Sequence, residues 1–181
     1  MRSWVPVPGS VKARLIDEAL AAFGTRGFEA VGVTEVAGAA GVTIGSLYHH
    51  FGSKLGLYLV VRGDVERRVL DRMEGAAAMR DPADRTGLAA VLLVGFDYLA
   101  TSGYGRLLAE PRPADAGEHT TDPIVEFFGR TADVRGAPVG SLLLAAWRQA
   151  LESGSGGGAT GGDWASVRDA LAMVLGADVS S

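Results

Sequence analysis

Apolar residues recur along this chain at intervals of three and four, the period of helices buried on one side. Val11, Leu15, Ala19, Ala22 and Phe23 share one face of a first helix that Ser10 caps, and Gly27 stops it after about Arg26. A long helix from Lys54 to about Met79, capped by Ser53, carries Leu57, Tyr58, Val61, Val65, Val69 and Met73 at the same spacing. Asp81-Pro82 breaks the chain. Leu88, Val91, Leu92, Phe96 and Leu99 form the stripe of a helix from about Asp84 to Ser102, followed by a turn over 104–109 and an irregular loop to Asp122. Pro123 and Pro138 each open a helix, the first to about Asp133 and the second to about Glu152. Gly154–Gly162 reads as a flexible connection, after which Asp163 caps a last helix bearing Trp164, Val167, Leu171, Val174 and Leu175. No run alternates as a strand would, so the expected fold is all-α.

Between the first helix and the long one the pattern tightens. Ala37 is small enough for two helices to cross closely, Gly41 lies four residues on where a sharp turn needs positive φ, and Leu47 follows six residues later. That is the spacing of a helix-turn-helix. Its second helix, about Ile44 to His50, presents Gly45, Ser46, Tyr48 and His49 outward, slim or hydrogen-bonding groups suited to a major groove.

The strings A-L-A-A-F-G-T-R-G-F-E-A (Ala19–Ala30), V-T-E-V-A-G-A-A-G-V (Val33–Val42) and G-S-L-Y-H-H-F-G-S-K (Gly45–Lys54) resemble the N-terminal domain of the TetR family of bacterial transcriptional repressors. The resemblance runs from Val11 to Val65; beyond it only the helical outline is similar. It implies a flexible arm over 1–10, a DNA-binding domain over 11–52, a connecting helix over 53–79 and a helical effector-binding and dimerisation domain over 80–181. It also implies that Tyr48 and Lys54 meet phosphates while Thr43, Gly45, Ser46 and His49 face backbone or base edges. The chemistry agrees: Tyr48 offers a phenolic donor on a rigid stem, and Lys54 brings charge to a helix N-terminus.

Two positions depart from the family. Ile44 replaces a residue that is usually polar, so it can touch a thymine methyl but cannot read a purine by hydrogen bonding. Val31-Gly32-Val33 stands where a Ser or Thr usually begins the second helix; Gly32 supplies no hydroxyl for a phosphate, so that contact is either absent or taken over by Thr34.

Charge alters the picture only after it is divided. The whole chain of 181 residues carries −4. Residues 1–62 hold six Lys or Arg against four Asp or Glu, +2, and residues 63–181 hold the other 11 and 17, −6. A mildly basic head on an acidic body has the sign DNA binding requires, with few phosphate contacts per subunit. A hydrophobic fraction of 48% argues for a folded chain, and zero cysteines exclude disulfides and thiolate metal sites. The proline-interrupted start is no signal peptide and the apolar runs are too short for a bilayer, so a cytoplasmic protein with no membrane partner is expected.

Other chemistry is thin. His49 and His50 point about 100° apart on a helix and no carboxylate cluster accompanies them, so no metal is expected. Gly156-x-Gly158-x-x-Gly161 matches a dinucleotide fingerprint only formally, since it follows a helix rather than a strand. No nucleophile, zincin or P-loop motif occurs, so neither an enzyme nor a cofactor is expected.

In the body, Phe96, Tyr98, Tyr104, Phe127, Phe128 and Trp147 are candidates to line an effector cavity, the alternative being plain core. The resemblance implies a pocket in this region, which would suit a small hydrophobic or amphipathic molecule oriented by Tyr98, Tyr104, Arg106 and Gln149. It also implies that the last two helices pair with a second copy, through Leu142, Leu143, Ala146, Trp147, Trp164, Val167 and Leu171. The expected protein is a homodimeric regulator, a repressor that binds a palindromic double-stranded operator and is released by its effector. The competing reading is a sensor or interaction protein of the same fold that has lost sequence-specific DNA binding, supported by Gly32 and the weak basic charge.

Overall fold

The computed structural model describes residues 8–81, 87–113, 122–132, 138–156 and 163–176. Among them the chain forms nine helices and no strand: α1 (Val11–Arg26), α2 (Val33–Ala39), α3 (Ile44–Phe51), α4 (Lys54–Ala78), α5 (Gly87–Ser102), α6 (Gly105–Ala109), α7 (Pro123–Ala132), α8 (Val139–Ser155) and α9 (Trp164–Val174). The first three make the head. Helix α4 leaves the head and packs against α5 and α7, while α8 packs on α5, α6, α7 and α9, and α9 on α5.

Local chemistry sets the starts. Ser10, Thr43, Ser53 and Asp163 each accept a backbone N–H three residues on, at 3.2, 3.1, 2.9 and 3.0 Å, capping α1, α3, α4 and α9. One apolar core runs through head and body, from Leu15, Phe23 and Leu47 through Tyr58, Val65 and Met73 to Phe96, Phe128 and Trp147. Burying each such side chain contributes about 1.5–3 kcal/mol.

Two expectations are corrected. The stretch 105–109, expected as a turn, is the helix α6, wedged between α1 and α8 with Leu107 and Leu108 buried. Helix α8 runs past Glu152 to Ser155, because the Trp164 ring lies where a Gly154 side chain would stand and holds the last turn closed. The expected flexible connection therefore begins later, and 157–162, with the last two glycines of the formal fingerprint, lies outside the described residues, as do the arm over 1–7 and most of the 111–122 loop. No helix among the described residues is long and apolar enough to cross a membrane.

Candidate nucleic-acid interface

The turn between α2 and α3 follows from three residues. Ala37 is buried against the neighbouring helices, its carbonyl accepts the Val42 N–H at 2.9 Å, and Gly41 takes φ +64° to reverse the chain. Leu47 is fully buried and fixes which side of α3 faces in. The opposite side is left to solvent: Gly45, His49 and His50 are exposed, Tyr48 is 46% exposed, Ile44 is 37% exposed and Ser46 is half-buried. Residues expected to face DNA thus share one surface of a rigid, capped helix.

The remaining expected contacts behave differently from one another. Thr43 Oγ1 is engaged as the α3 cap, which leaves its own O–H proton to donate outward. Gly32 caps α2 with no side-chain hydrogen bond. Three residues on, the Glu35 carboxylate accepts from Arg26, and the Gly32 backbone adds a smaller pull on it. The Arg26 contact is the main reason the Glu35 carboxyl is held below its usual value. Thr34, exposed in the same first turn, is therefore the nearest hydroxyl to the missing one.

Lys54 is not a free cation. Its Nζ stands 4.3 Å from the Phe28 ring centroid and 3.5 Å from the Glu29 carbonyl oxygen, half-buried against the α1–α2 connection. That contact offsets the unfavourable placement of a cation at the first residue of α4. Two further cations, counted in the sequence only as charge, stand on the rim: Lys12 lies 5.8 Å from the Phe51 ring, and exposed Arg14 lies beside the Gly41 turn. Their position in the first turn of α1 was the available signal, but only the fold brings that turn alongside α3. A groove of about 280 Å³ between α1 and α2 is lined by Glu18, Ala22, Arg26 and Glu35, among others.

The body's aromatics are packed on one another. Phe128 meets Trp147 edge-on at 5.8 Å, Phe96 meets Trp164 at 5.5 Å, and Tyr98 meets Tyr104 at 6.4 Å. Phe127 touches Phe128, and the Trp147 indole donates to the Leu92 carbonyl at 3.2 Å. Of the polar groups expected to orient a ligand, Tyr98 is covered by the Arg72 guanidinium at 3.9 Å, Arg106 faces Glu110 and Glu152, and Gln149 is exposed, so they do not converge.

The residues expected between subunits divide. Leu142 is 64% exposed, and Leu143, Ala146, Trp164 and Val167 are half-buried. Trp147 and Leu171, by contrast, are inside the subunit, 0% and 4% exposed. The apolar stripe of α8 turns Trp147 toward α5 and α7, so it has no surface to give a partner. Met173 and Val174, at 72% and 74% exposure, stand out on α9 instead.

Beneath α6 lies a polar network that the sequence reading did not single out. Arg62, fully buried on α4, donates through Nε to Glu66 at 2.9 Å and through Nη1 to the carbonyls of Leu107 and Glu110 at 2.8 and 2.9 Å and to the Tyr58 hydroxyl at 3.0 Å. Burial raises the Tyr58 phenol above its ordinary value against the pull of Arg62. Arg112 pairs with the other Glu66 oxygen, and Arg148 reaches Asp122 at 2.7 Å and the Leu108 carbonyl at 3.3 Å. The Glu110 carboxylate points the other way, into the head, accepting the Phe28 N–H at 2.9 Å. It lies so close that a Cβ on Gly27, itself at φ +80°, would stand 1.9 Å from it.

A helix-turn-helix with an exposed second helix, carried on a helical body by a long shared helix, is an arrangement also found in known proteins. Residues 15–61 match the family model described as bacterial regulatory proteins, tetR family. A curated relative, the HTH-type transcriptional activator FasR of Mycolicibacterium smegmatis, is 35% identical over 117 residues, covering 63% of this chain and 49% of the relative. The chain thus spans about half the length of the curated relative it matches. Similar folds include a TetR-like transcriptional regulator from Rhodococcus sp. RHA1, with TM-score 0.65 at 18% identity over 95% of this chain and 96% of that one. The fatty acid degradation regulator FadR from Bacillus halodurans superposes with TM-score 0.65 at 13% identity over 93% of this chain and 99% of the other. Over residues 15–61 the chain is thus similar to the tetR family, and as a whole it shares the fold of these regulators.

Proposed function

We propose that this chain is a homodimeric repressor that binds a palindromic operator and is released by a small effector held in its body. The observation that carries the reading is the outward face of α3, polar and rigidly capped, set by the buried Leu47. Two such helices in a dimer enter successive major grooves about 34 Å apart. Tyr48, Lys54 and Thr34 hold phosphates; Thr43, Ile44, Gly45, Ser46 and His49 lie toward backbone and bases. Leu142, Leu143 and Ala146 of α8, with Met173 and Val174 of α9, supply the face that a second copy covers, which removes exposed apolar area. The protein acts in the cytoplasm and performs no turnover.

The effector acts through two connections between body and head, the continuous helix α4 and the Glu110–Phe28 hydrogen bond. A coupling of about 1–3 kcal/mol weakens operator binding about 5- to 150-fold. Selecting bound oligonucleotides from a random pool, then titrating salt, tests the reading: a palindrome whose affinity falls steeply with salt is expected, and no selected sequence overturns it. The relative's name favours a second reading, in which the bound regulator activates transcription. A reporter carrying the selected palindrome separates the two by the direction of its change.

A further inference from the structure

Around Glu66, beneath α6, two guanidinium groups share one carboxylate. Glu66 is spent on both sides, one oxygen on Arg62 and the other on Arg112. Arg106 is answered by Glu110, and Arg148 by Asp122. Among the described residues Arg62 Nη2 and Arg112 Nε remain buried with no hydrogen-bond partner. A buried guanidinium nitrogen left this way loses its hydration without replacement, an arrangement seldom kept unless an acceptor serves it. Both nitrogens belong to the two guanidinium groups that pair with the two oxygens of Glu66. Arg148 adds to the field there: burial, opposed by Asp122 and reinforced by the Arg62 cation, pulls its guanidinium below its usual value. Leu107 and Leu108 of α6 are buried beside it, their carbonyls held by Arg62 and Arg148, and the buried Trp147 precedes Arg148 on α8, while the Arg112 side chain is 27% exposed and opens the cluster to solvent.

We propose that Arg62 and Arg112 form the seat for an anionic head group of the effector, a carboxylate or a phosphate monoester, with its apolar remainder directed toward Leu108 and Trp147. Guanidinium forks recognise both anions by paired, charge-assisted hydrogen bonds. The same seat explains the coupling. An anion on Arg62 Nη2 pulls on the same guanidinium whose Nη1 holds the carbonyls of Leu107 and Glu110, and Glu110 is the residue whose carboxylate holds the head at Phe28.

The inference rests on the ligand-responsive reading only for its effect on DNA; binding itself is measured without DNA. The full chain is titrated calorimetrically, and its melting followed, with 4-butylbenzoate, 4-butylphenyl phosphate, the uncharged 4-butylbenzamide and inorganic phosphate. One or both organic anions should bind, the amide at least about tenfold more weakly, and the two anionic arms identify the head group. Arg112→Gln should weaken the anion about tenfold or more, leave the amide unchanged, and be partly rescued by Arg112→Lys. Arg130→Gln, which removes the same charge at an exposed site, should bind as wild type does. Amide binding as tight as the anions, no binding by any organic probe, equal stabilisation by inorganic phosphate, or unchanged anion affinity in Arg112→Gln overturns the proposal. A chain that binds the anion yet selects no operator would refute the DNA-binding reading alone.

Discussion

Head and body solve opposite problems with the same kinds of side chain. In the head, polar and charged groups stand outward on short capped helices, and the interior of α3 holds only Leu47. In the body the outward surfaces of α8 and α9 carry Leu142, Met173 and Val174, whereas two charges of α4, Arg62 and Glu66, are enclosed between α4 and α6. An exposed ion pair contributes little and can be exchanged freely; an enclosed one is costly to leave half-made. The head can therefore change its sequence preference without changing its fold, while the body's charges are tied to its architecture.

The contrast breaks most visibly at Arg62. Arg62→Ala should cost about 3–5 kcal/mol in urea denaturation, since Glu66 and two carbonyls lose their shared donor; a loss below 1 kcal/mol would show that the enclosed charges are incidental. Next come two leucines that look alike in sequence. Leu171→Ala should destabilise the subunit by about 2–4 kcal/mol, whereas Leu142→Glu should leave the melting of the subunit nearly unchanged and shift light scattering toward monomer. Equal effects of the two would erase the distinction between inside and outside.

Smaller effects test the head. Thr43→Ala should cost about 1 kcal/mol through the α3 cap and weaken DNA binding as well, while Gly32→Ser should add a few tenths of a kcal/mol, read by thermal melting. Lys54→Ala should lower the salt slope of DNA binding by about one per subunit and lose about 0.5–1 kcal/mol from its contact with Phe28. An unchanged slope would place Lys54 in the fold rather than on the phosphates. The smallest effect is electrostatic. Glu35 is held below its ordinary value near 4.5, mainly by Arg26, so its contribution is present above that pH and fades as pH falls through the lower, folded value. Glu35→Gln should therefore lower stability slightly at neutral pH, where the contribution is present, leave it unchanged below the folded value, and so flatten the acid side of the profile.

How far the sequence reached follows the same division. Ala37, Gly41 and Leu47 act on neighbours within a dozen residues, so their spacing alone revealed the turn and the outward face of α3. The body's decisions are made at long range. Arg62 and Glu66 are an ordinary i, i+4 pair in the sequence of α4, and nothing local tells that Leu107, Glu110 and Arg112, some 45 residues away, enclose them. Periodicity likewise cannot separate an apolar face turned into its own subunit from one turned toward a copy, which is why Trp147 and Leu171 were expected at the wrong boundary. At five residues α6 is too short for any periodic signal, and its helix is held by the walls of α1 and α8.

The bond between Glu110 and Phe28 has a consequence for engineering. The carboxylate grips the main chain, not a side chain, and the residue before Phe28 is a glycine, where an added Cβ would displace the carboxylate. The joint is therefore blind to which amino acids the reading surface displays. A foreign head of the same backbone, grafted ahead of α4 with glycine kept at 27, should inherit this joint intact; one bearing alanine there should dock askew. Operator preference and effector response can on this basis be recombined as separate parts, with a single position serving as the compatibility rule.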